Sequence, residues 1–579
     1  MKRTLATETT HKVGEQVTIA GWVNSRRDHG GLIFIDVRDN TGVVQLVIQP
    51  TNESFKIAEQ LRDEFVIQAT GTVKERAEDL KNPHIETGSV EVYVDELKIL
   101  NRAEALPFPI HDVGVNEEMR LRYRFLDLRR PKMQRMLKKR AEMYQIIRKF
   151  MEERDFTEVT TPILANSSPE GARDFLIPSR IHQGKFYALP QAPQQFKQLL
   201  MVGGIPRYYQ LAACFRDEDP RADRLYGEFY QIDLEMSFVE DGEEVRSLME
   251  PLIVELVRDF AGKKLLFQDI PRIPYQEAMD KYGSDKPDLR FGMELVELTE
   301  DLRGTEFGVF KNAECVKAIC VKGGADLSRS QIDKFTEVAK NEGAGGLAYI
   351  TYQNGEANSP IAKFLNESEL AAIKSKTGAQ DGDAVFFGAD RRGVVNKVLG
   401  KLRSEFADHF NLKDPNVIAL AWIVDFPFYE LDEKTGKLDF GHNPFSMPKG
   451  GLEALESEDK LSVLADQYDM VMNGYEICSG GVRNHNPDVL YRVFQVLGFS
   501  KDYVEAKFGG MLNAFKYGAP PHAGCAFGID RMFMELMGES NIREIVAFPK
   551  NGSGTDVMMN SPSTVEDSQL KELGIKPLQ

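Results

Sequence analysis

Residues 208–238 read YYQLAACFRDEDPRADRLYGEFYQIDLEMSF. Two apolar runs with strand-like alternation, 208–215 and 229–238, flank a loop crowded with arginine and acidic residues, a pattern that predicts a long antiparallel hairpin. Arg216, Arg221 and Arg224 in that loop are fixed positive charges, and a planar guanidinium can hold a phosphate or a carboxylate in two-point contact. The plainer reading is a solvated charged turn. No G-x-x-x-x-G-K-[ST] phosphate loop occurs anywhere in the chain, so a doubly wound parallel sheet is not expected around this hairpin.

The remainder of the chain fits a multidomain enzyme. Its 579 residues, 42% of them hydrophobic, suffice for three or four domains with ample core. No apolar run approaches the roughly 18 to 20 residues that span a bilayer, and residues 1–13 lack an apolar signal core, so a cytoplasmic protein is expected. The five cysteines, Cys214, Cys315, Cys320, Cys478 and Cys525, include no C-x-x-C pair and predict buried thiols rather than a disulfide framework or a zinc site. The net charge of −17 argues against a protein coated in nucleic acid. Between residues 116 and 150, however, twelve Lys and Arg stand against four Asp and Glu, a stretch that could face a polyanion.

Residues 1–105 show short alternating runs at 16–23, 32–37, 43–48, 65–73 and 89–99, separated by Gly and polar turns. Five strands in that length suit a small closed barrel of the oligonucleotide-binding (OB) type. A barrel without a ligand is the plainer reading. Arg26, Arg27, Phe34 and Gln45 favour a nucleic acid, because bases stack on exposed aromatic rings and hydrogen-bond to such polar groups. A Pro-bounded linker over 106–130 follows, and helical apolar spacing at Met136, Tyr144, Ile147 and Met151 predicts a helix over 129–151. Residues 284–415 have Gly-rich turns and helices at 328–341 and 367–376. Gly343-Ala-Gly-Gly there follows a helix and precedes a strand, the wrong order for a dinucleotide fingerprint, so it is read as a loop. Asp469 and Glu476 lie on a strand-like run with odd spacing, which only a bulge or twist would aim at one ion. Two acids near a strand are otherwise simply solvated. Small residues ahead of Arg531, at a helix start, suit an anion site, since free N–H groups and the helix dipole add to the guanidinium charge.

Phe215-Arg216-Asp217-Glu218, with Phe229 and Gln231-x-Asp233, resembles the second signature motif of class II aminoacyl-tRNA synthetases, in wording nearest the bacterial aspartyl enzymes. Phe156-x-Glu158-Val-Thr-Thr-Pro162 resembles the first motif, and Gly518-Ala-Pro-Pro-His522 through Gly528-Ile529-Asp530-Arg531 resembles the third. The resemblance spans nearly the whole chain. It implies an α+β multidomain protein: an OB-fold anticodon-binding domain over 1–105, a hinge over 106–130, a class II catalytic domain over 131–283 and 416–579 built on six or seven antiparallel strands, and an inserted α/β domain of the GAD type over 284–415. It implies that ATP meets Arg216, Asp217, Glu218, Arg224, Phe229, Glu476, Gly528, Ile529, Asp530 and Arg531. Aspartate would meet Glu170, Gln194, Lys197, Arg216, Asp233, His442 and Arg483. Asp469 and Glu476 would hold Mg²⁺. Arg216 and Arg531 would stabilise the reacting phosphate. Arg27, His29, Phe34, Gln45 and Glu91 would read the anticodon, and Pro162 would lie in a homodimer interface, although without the resemblance it reads as an ordinary strand-ending proline. Asn443 departs from the family, where a second His usually follows the one at 442.

The implied activity is ATP-dependent aspartylation of tRNA through an aspartyl-adenylate. His29-Gly30-Gly31 resembles the relatives that charge both tRNA(Asp) and tRNA(Asn), with an enzyme strict for tRNA(Asp) as the alternative. An asparaginyl or lysyl enzyme is a rival within the fold. A non-catalytic tRNA-binding paralogue is a rival outside it, opposed by Arg216, Glu476 and Arg531.

Overall fold

Five strands close into a barrel at the start of the chain: β1 (Gln16–His29), β2 (Leu32–Arg38), β3 (Val43–Ile48), β4 (Val66–Glu75) and β5 (Val90–Asn101), in the spatial order β1-β2-β3-β5-β4. The structure, a computed structural model, describes residues 3–112, 114–167, 171–432, 435–442 and 444–576, and the chain divides into two units, 1–134 and 135–579. Alternation closes the barrel. On β2, Ile33, Ile35 and Val37 are buried while Phe34 and Asp36 between them face outward, the two-residue period of a strand with one face in a core. A register shift between Val23 and Ser25 bends β1, so its first half pairs with β4 and its second with β2. That bend is why β1 runs past the expected 16–23. Gly30 and Gly31 join β1 to β2 with φ of +60° and +80°, the left-handed backbone that a two-residue hairpin turn requires at both positions.

The 106–130 stretch is anchored within the first unit. Arg129 Nη1 lies 2.7 Å from Glu64, which also receives both oxygens' worth of contact from Arg38, and Phe108 is buried edge-on to Tyr123. Arg120, Arg124 and Arg130 converge on the buried Asp127. These four of the twelve cations of 116–150 are therefore engaged by carboxylates within this unit.

The second unit is built on strands β6 (Thr157–Glu158), β7 (Arg207–Arg216), β8 (Gly227–Ser237), β9 (Arg272–Pro274), β10 (Leu420–Pro427), β11 (Leu464–Met472), β12 (Tyr475–Val482) and β13 (His522–Gly528), in the order β9-β10-β11-β12-β13-β8-β7-β6. The expected hairpin is β7–β8, paired from Arg207↔Met236 to Arg216↔Gly227. Six central strands are antiparallel, and the two short edge strands β6 and β9 join in parallel. Strands of two or three residues are too short to carry a periodic pattern, which is why six or seven strands were expected and eight are found. On β8, Ile232, Leu234 and Met236 enter a core with Met143, Ile147 and Met151 of α1 (Pro131–Glu152), and Asp233 and Glu235 turn to the other face. Truncating any one of those core side chains to Ala would cost about 2–5 kcal/mol. Helices α2 (Gln194–Val202), α3 (Gly242–Glu255), α4 (Arg392–His409) and α5 (Ile529–Met537) complete the parts used below.

Between β9 and β10 lies a separate antiparallel sheet, in the spatial order Val296–Glu297, Cys315–Val321, Ala384–Asp390, Ala348–Gln353, Glu356–Asn358, with α4 and the helices Arg329–Asn341 and Glu367–Thr377. Residues 343–346 form the loop between a helix and a strand, as their order predicts.

Candidate active site

A cavity of about 430 Å³ opens on the face of the large sheet that Asp233 and Glu235 share. Its floor is a buried quartet. Lys197 of α2, 1% exposed, places Nζ 2.7 Å from Asp233 Oδ1 and 3.3 Å from Glu235 Oε2. Arg483, following β12, donates from Nε and Nη2 to the two oxygens of Glu235 at 2.9 and 3.2 Å, and from Nη2 to Gly524 O at 3.1 Å. Burial pulls the Lys197 ammonium down, but Asp233 and Glu235 more than offset it and keep it charged. Burial pushes the Glu235 carboxyl up, and the two cations outweigh that and bring it below its ordinary value. Asp233 is held up by burial, and its Oδ2 is buried with no hydrogen-bond partner among the described residues. The quartet fits in the sheet because β13 carries glycine opposite: a Cβ on Gly524 would lie 2.1 Å from Glu235 Oε2 and 2.2 Å from Leu234 O.

Arg216, at the end of β7, stacks its guanidinium 5.0 Å from the Phe229 ring centroid, and its buried Nε has no hydrogen-bond partner among the described residues. The other cations of the wall are matched: Arg224 Nη1 meets Glu218 at 2.7 Å, and Arg531 donates to Glu476 O at 2.7 Å and to Asp223 Oδ2 at 3.1 Å. Gln194 lines the same cavity and donates to Gln198. Gly528 is also on the wall. Asp530 borders it, but its carboxylate is taken by the Tyr230 N–H at 2.9 Å and by Arg140 of α1 at 2.5 Å, a tie between α5, β8 and α1. Ile529 is buried in the core, and Asp217 is turned to the Tyr226 hydroxyl and Arg173; neither lines the cavity.

The two acids expected on one strand sit on two. β11 and β12 form a hairpin turning at Asn473-Gly474, and the ladder shifts register between Met470 and Val471, the bulge that the odd spacing demands. Asp469 is 2% exposed behind the wall, with Oδ1 unpartnered among the described residues; Glu476 is on the wall. Burial and then the charge of Asp469 raise the Glu476 carboxyl. His442 lies against Phe426, with Nε2 3.6 Å from Asp469 Oδ2. Burial works against its proton, but Asp469 and Glu476 prevail and lift it to about 9, so it is a cation at neutral pH. Glu170 and Asn443 lie outside the described residues.

Three residues at the site escape the sequence reading. Glu235 carried a usable signal, because it is two positions beyond Asp233 on one strand and so shares its face. Asp223 is one acid in a loop full of them. Lys286, whose Nζ lies 3.4 Å from Glu476 Oε2, comes from the start of the segment expected as an insertion and carried no motif.

Residues 116–552 match the family described as tRNA synthetases class II (D, K and N), and residues 17–100 match the OB-fold nucleic acid binding domain. This chain belongs to the class II tRNA synthetases. A Chlorobaculum parvum protein named aspartate–tRNA(Asp/Asn) ligase is 51% identical over 97% of this chain and 94% of its own length, and a Rickettsia bellii protein of the same name is 50% identical over 97% and 95%. Two solved structures are similar in fold. The asparaginyl-tRNA synthetase of Pyrococcus horikoshii complexed with asparaginyl-adenylate aligns with a TM-score of 0.57 at 20% identity, covering 95% of this chain and 98% of that one. The aspartyl-tRNA synthetase of Entamoeba histolytica aligns with a TM-score of 0.57 at 20% identity, covering 95% and 92%.

The OB-fold barrel of this class II synthetase gathers its own polar face. Arg27 is opposite Phe34, and its Nη2 donates to Asp36 at 3.0 Å and to Gln45 at 3.2 Å; Gln45 in turn donates to Glu91 at 3.0 Å. His29, two positions beyond Arg27, is on the same face and exposed at the hairpin end. Asp36 belongs to that network and was not expected. Among the described residues no helix is long and apolar enough to cross a membrane.

Proposed function

We propose that this class II synthetase activates L-aspartate with ATP and transfers it to tRNA(Asp) and tRNA(Asn). The carrying observation is the electrically neutral quartet Lys197, Asp233, Glu235 and Arg483 beneath a single unmatched cation, Arg216. A floor of that kind plus Arg216 carries one net positive charge, which complements aspartate with its one ammonium and two carboxylates. Asparagine has the α-carboxylate but lacks the second one, so the site would keep one net positive charge at the Lys197–Arg483 end, and an unpaired buried charge costs several kcal/mol. Relatives about 50% identical over nearly the whole chain, which bear the name aspartate–tRNA(Asp/Asn) ligase, support the same reading.

In this reading the free valence of Asp233 takes the substrate ammonium, and Lys197 and Arg483 take the side-chain carboxylate. Arg216 holds the α-carboxylate beside the α-phosphate of ATP, with Phe229 against the adenine and Arg224 and Arg531 toward the outer phosphates. A carboxylate oxygen of aspartate then forms a bond to the α-phosphorus as the bond to pyrophosphate breaks. The terminal hydroxyl of tRNA next attacks the aspartyl carbonyl and AMP leaves. No side chain becomes covalently attached, so catalysis is positioning and charge neutralisation. Asp469 and Glu476 fit Mg²⁺: one has a buried oxygen without a partner, the other is raised by its neighbour's charge, and this ion usually takes one or two carboxylates plus substrate phosphates. When bound it would neutralise phosphate charge. The reading also includes a homodimer through the segment around Pro162 and anticodon contact by Arg27, His29, Phe34, Gln45 and Glu91.

The test is amino-acid-dependent ATP–pyrophosphate exchange with aspartate, asparagine and lysine. Exchange with aspartate is expected, and activity with lysine alone, or with none of the three, would sink the proposal. Aminoacylation of purified tRNA(Asp) and tRNA(Asn) tests the second half: a preference for tRNA(Asp) of about a thousandfold, roughly 4 kcal/mol, would make the enzyme strict.

A further inference from the structure

Lys286 lies in the turn that leads from the catalytic sheet into the inserted sheet, and it faces the wall acid rather than solvent alone. Its Nζ is 3.4 Å from Glu476 Oε2 and 2.7 Å from Asp285 Oδ2. The turn that carries it is gripped from both sides. On the side of the inserted sheet, α4 touches it backbone to backbone: a Cβ on Gly283, which has φ of +67°, would lie 2.1 Å from Asn396 O, and one on Gly400 would lie 2.5 Å from Gly283 O. Arg403 of α4, 3% exposed, donates to Asp288 O at 2.8 Å, Phe291 O at 3.0 Å and Gly292 O at 3.1 Å, and stacks on the Tyr282 and Phe291 rings. On the catalytic side, a Cβ on Gly474, at the tip of the β11–β12 hairpin, would stand 3.3 Å from the Asp288 Cβ.

From this geometry we infer that Lys286 is a positioning residue for the ATP end of the site, holding Glu476 and offsetting the charge of the Asp469–Glu476 pair, and that α4 of the inserted segment sets its position. The inference rests on the reading of the cavity as an ATP site. Two carboxylates facing phosphates repel them, and Lys286 is the lysine that touches either acid among the described residues. Without it, His442 would be the remaining side-chain cation against the pair, ATP would approach a more negative wall, and added Mg²⁺ would relieve the repulsion. Aspartate, held at the quartet rather than at Glu476, would be little affected.

The experiment compares wild type, Lys286→Met and Lys286→Arg. Equilibrium dialysis of ATP in EDTA reads the effect of the lysine with no metal present. Exchange kinetics over a range of Mg²⁺ then separate ATP from aspartate. Lys286→Met is expected to bind ATP at least tenfold more weakly in EDTA, to need more Mg²⁺ for half-maximal exchange, and to change KM for aspartate by less than about threefold. Lys286→Arg should recover most of the loss, and Arg403→Met should shift ATP binding in the same direction as Lys286→Met. ATP binding by Lys286→Met within twofold of wild type, or equal rises in KM for ATP and aspartate, would overturn the assignment. Absence of ATP binding by wild type even with Mg²⁺ would instead overturn the ATP-site reading beneath it.

Discussion

At the scale of single residues, Glu235 changes what Arg483 is expected to do. Nε and Nη2 of Arg483 are spent on Glu235 and Gly524 O, which fixes the plane of the fork. Arg483→Lys would keep the charge and lose the two-point grip, since a lysine presents one compact ammonium on a flexible stem. KM for aspartate is expected to rise at least tenfold, about 1.4 kcal/mol, with KM for ATP nearly unchanged. If KM for aspartate and kcat/KM both stay within about twofold of wild type, Arg483 does not bind the substrate. Lys197, Asp233 and Arg483 were singled out through their motifs, and the structure brings all three to one cavity. Their pairing was not legible in the sequence, because it depends on which strand faces which, and Glu235 carries no motif of its own. Ile529 and Asp530 show the reverse: both stand within a recognisable motif, yet one fills the core and the other ties α5 to Arg140.

Among the elements, hairpins and their irregularities were the legible part and short edge strands the illegible part. The β7–β8 hairpin and the barrel strands follow from alternation over six or more residues, whereas β6 and β9 span only two or three residues. The β1–β2 hairpin sets up a prediction on tRNA choice. Its Gly30-Gly31 turn fixes His29 at the strand end, on the face of Arg27 and Phe34, and a histidine there can donate or accept at a base edge, whereas leucine can only pack or exclude. His29→Leu is expected to reduce charging of tRNA(Asn) selectively in aminoacylation of both purified tRNAs; equal loss on both would remove His29 from the discrimination. A second prediction concerns α3 and β9. Burial pushes the Glu243 carboxyl up, but hydrogen bonds from Arg272, Ser247 and Arg246 bring it down to about 2. With a folded pKa below the ordinary 4.5, its contribution is present above that value and is lost as pH falls through about 2. The side chain is 42% exposed, so screening limits that contribution to about 1 kcal/mol or less. Glu243→Gln should lower Tm near pH 6 and converge on wild type toward pH 2; a Tm gap that does not shrink with acidification would contradict it.

For the whole molecule, the barrel and the two separate sheets match runs of sequence with their own composition and period, but the approach of Lys286 to Glu476 was not legible, since it arises only through folding. The same scale carries the homodimer prediction. Next to Pro162, Ile163 is 51% and Leu164 52% exposed, values unusual for neighbouring large apolar residues. Ala165 bridges to Ala188, which pairs with Leu176 in the small hairpin Leu176–Pro178 and Phe186–Ala188, and Leu176 and Phe186 are exposed as well. Apolar side chains thus line one connected stretch, and burying them against a second copy would remove the cost of leaving them in water, about 25 cal/mol per Å². A symmetric pair would place the same stretch of each copy at its interface. Light scattering is expected to give about twice the 65.3 kDa of one chain, and Ile163→Asp with Leu164→Asp to shift the mass toward one chain with loss of exchange activity. Wild type measured as a fully active monomer at micromolar concentration would eliminate the dimer and, with it, the role given to Pro162.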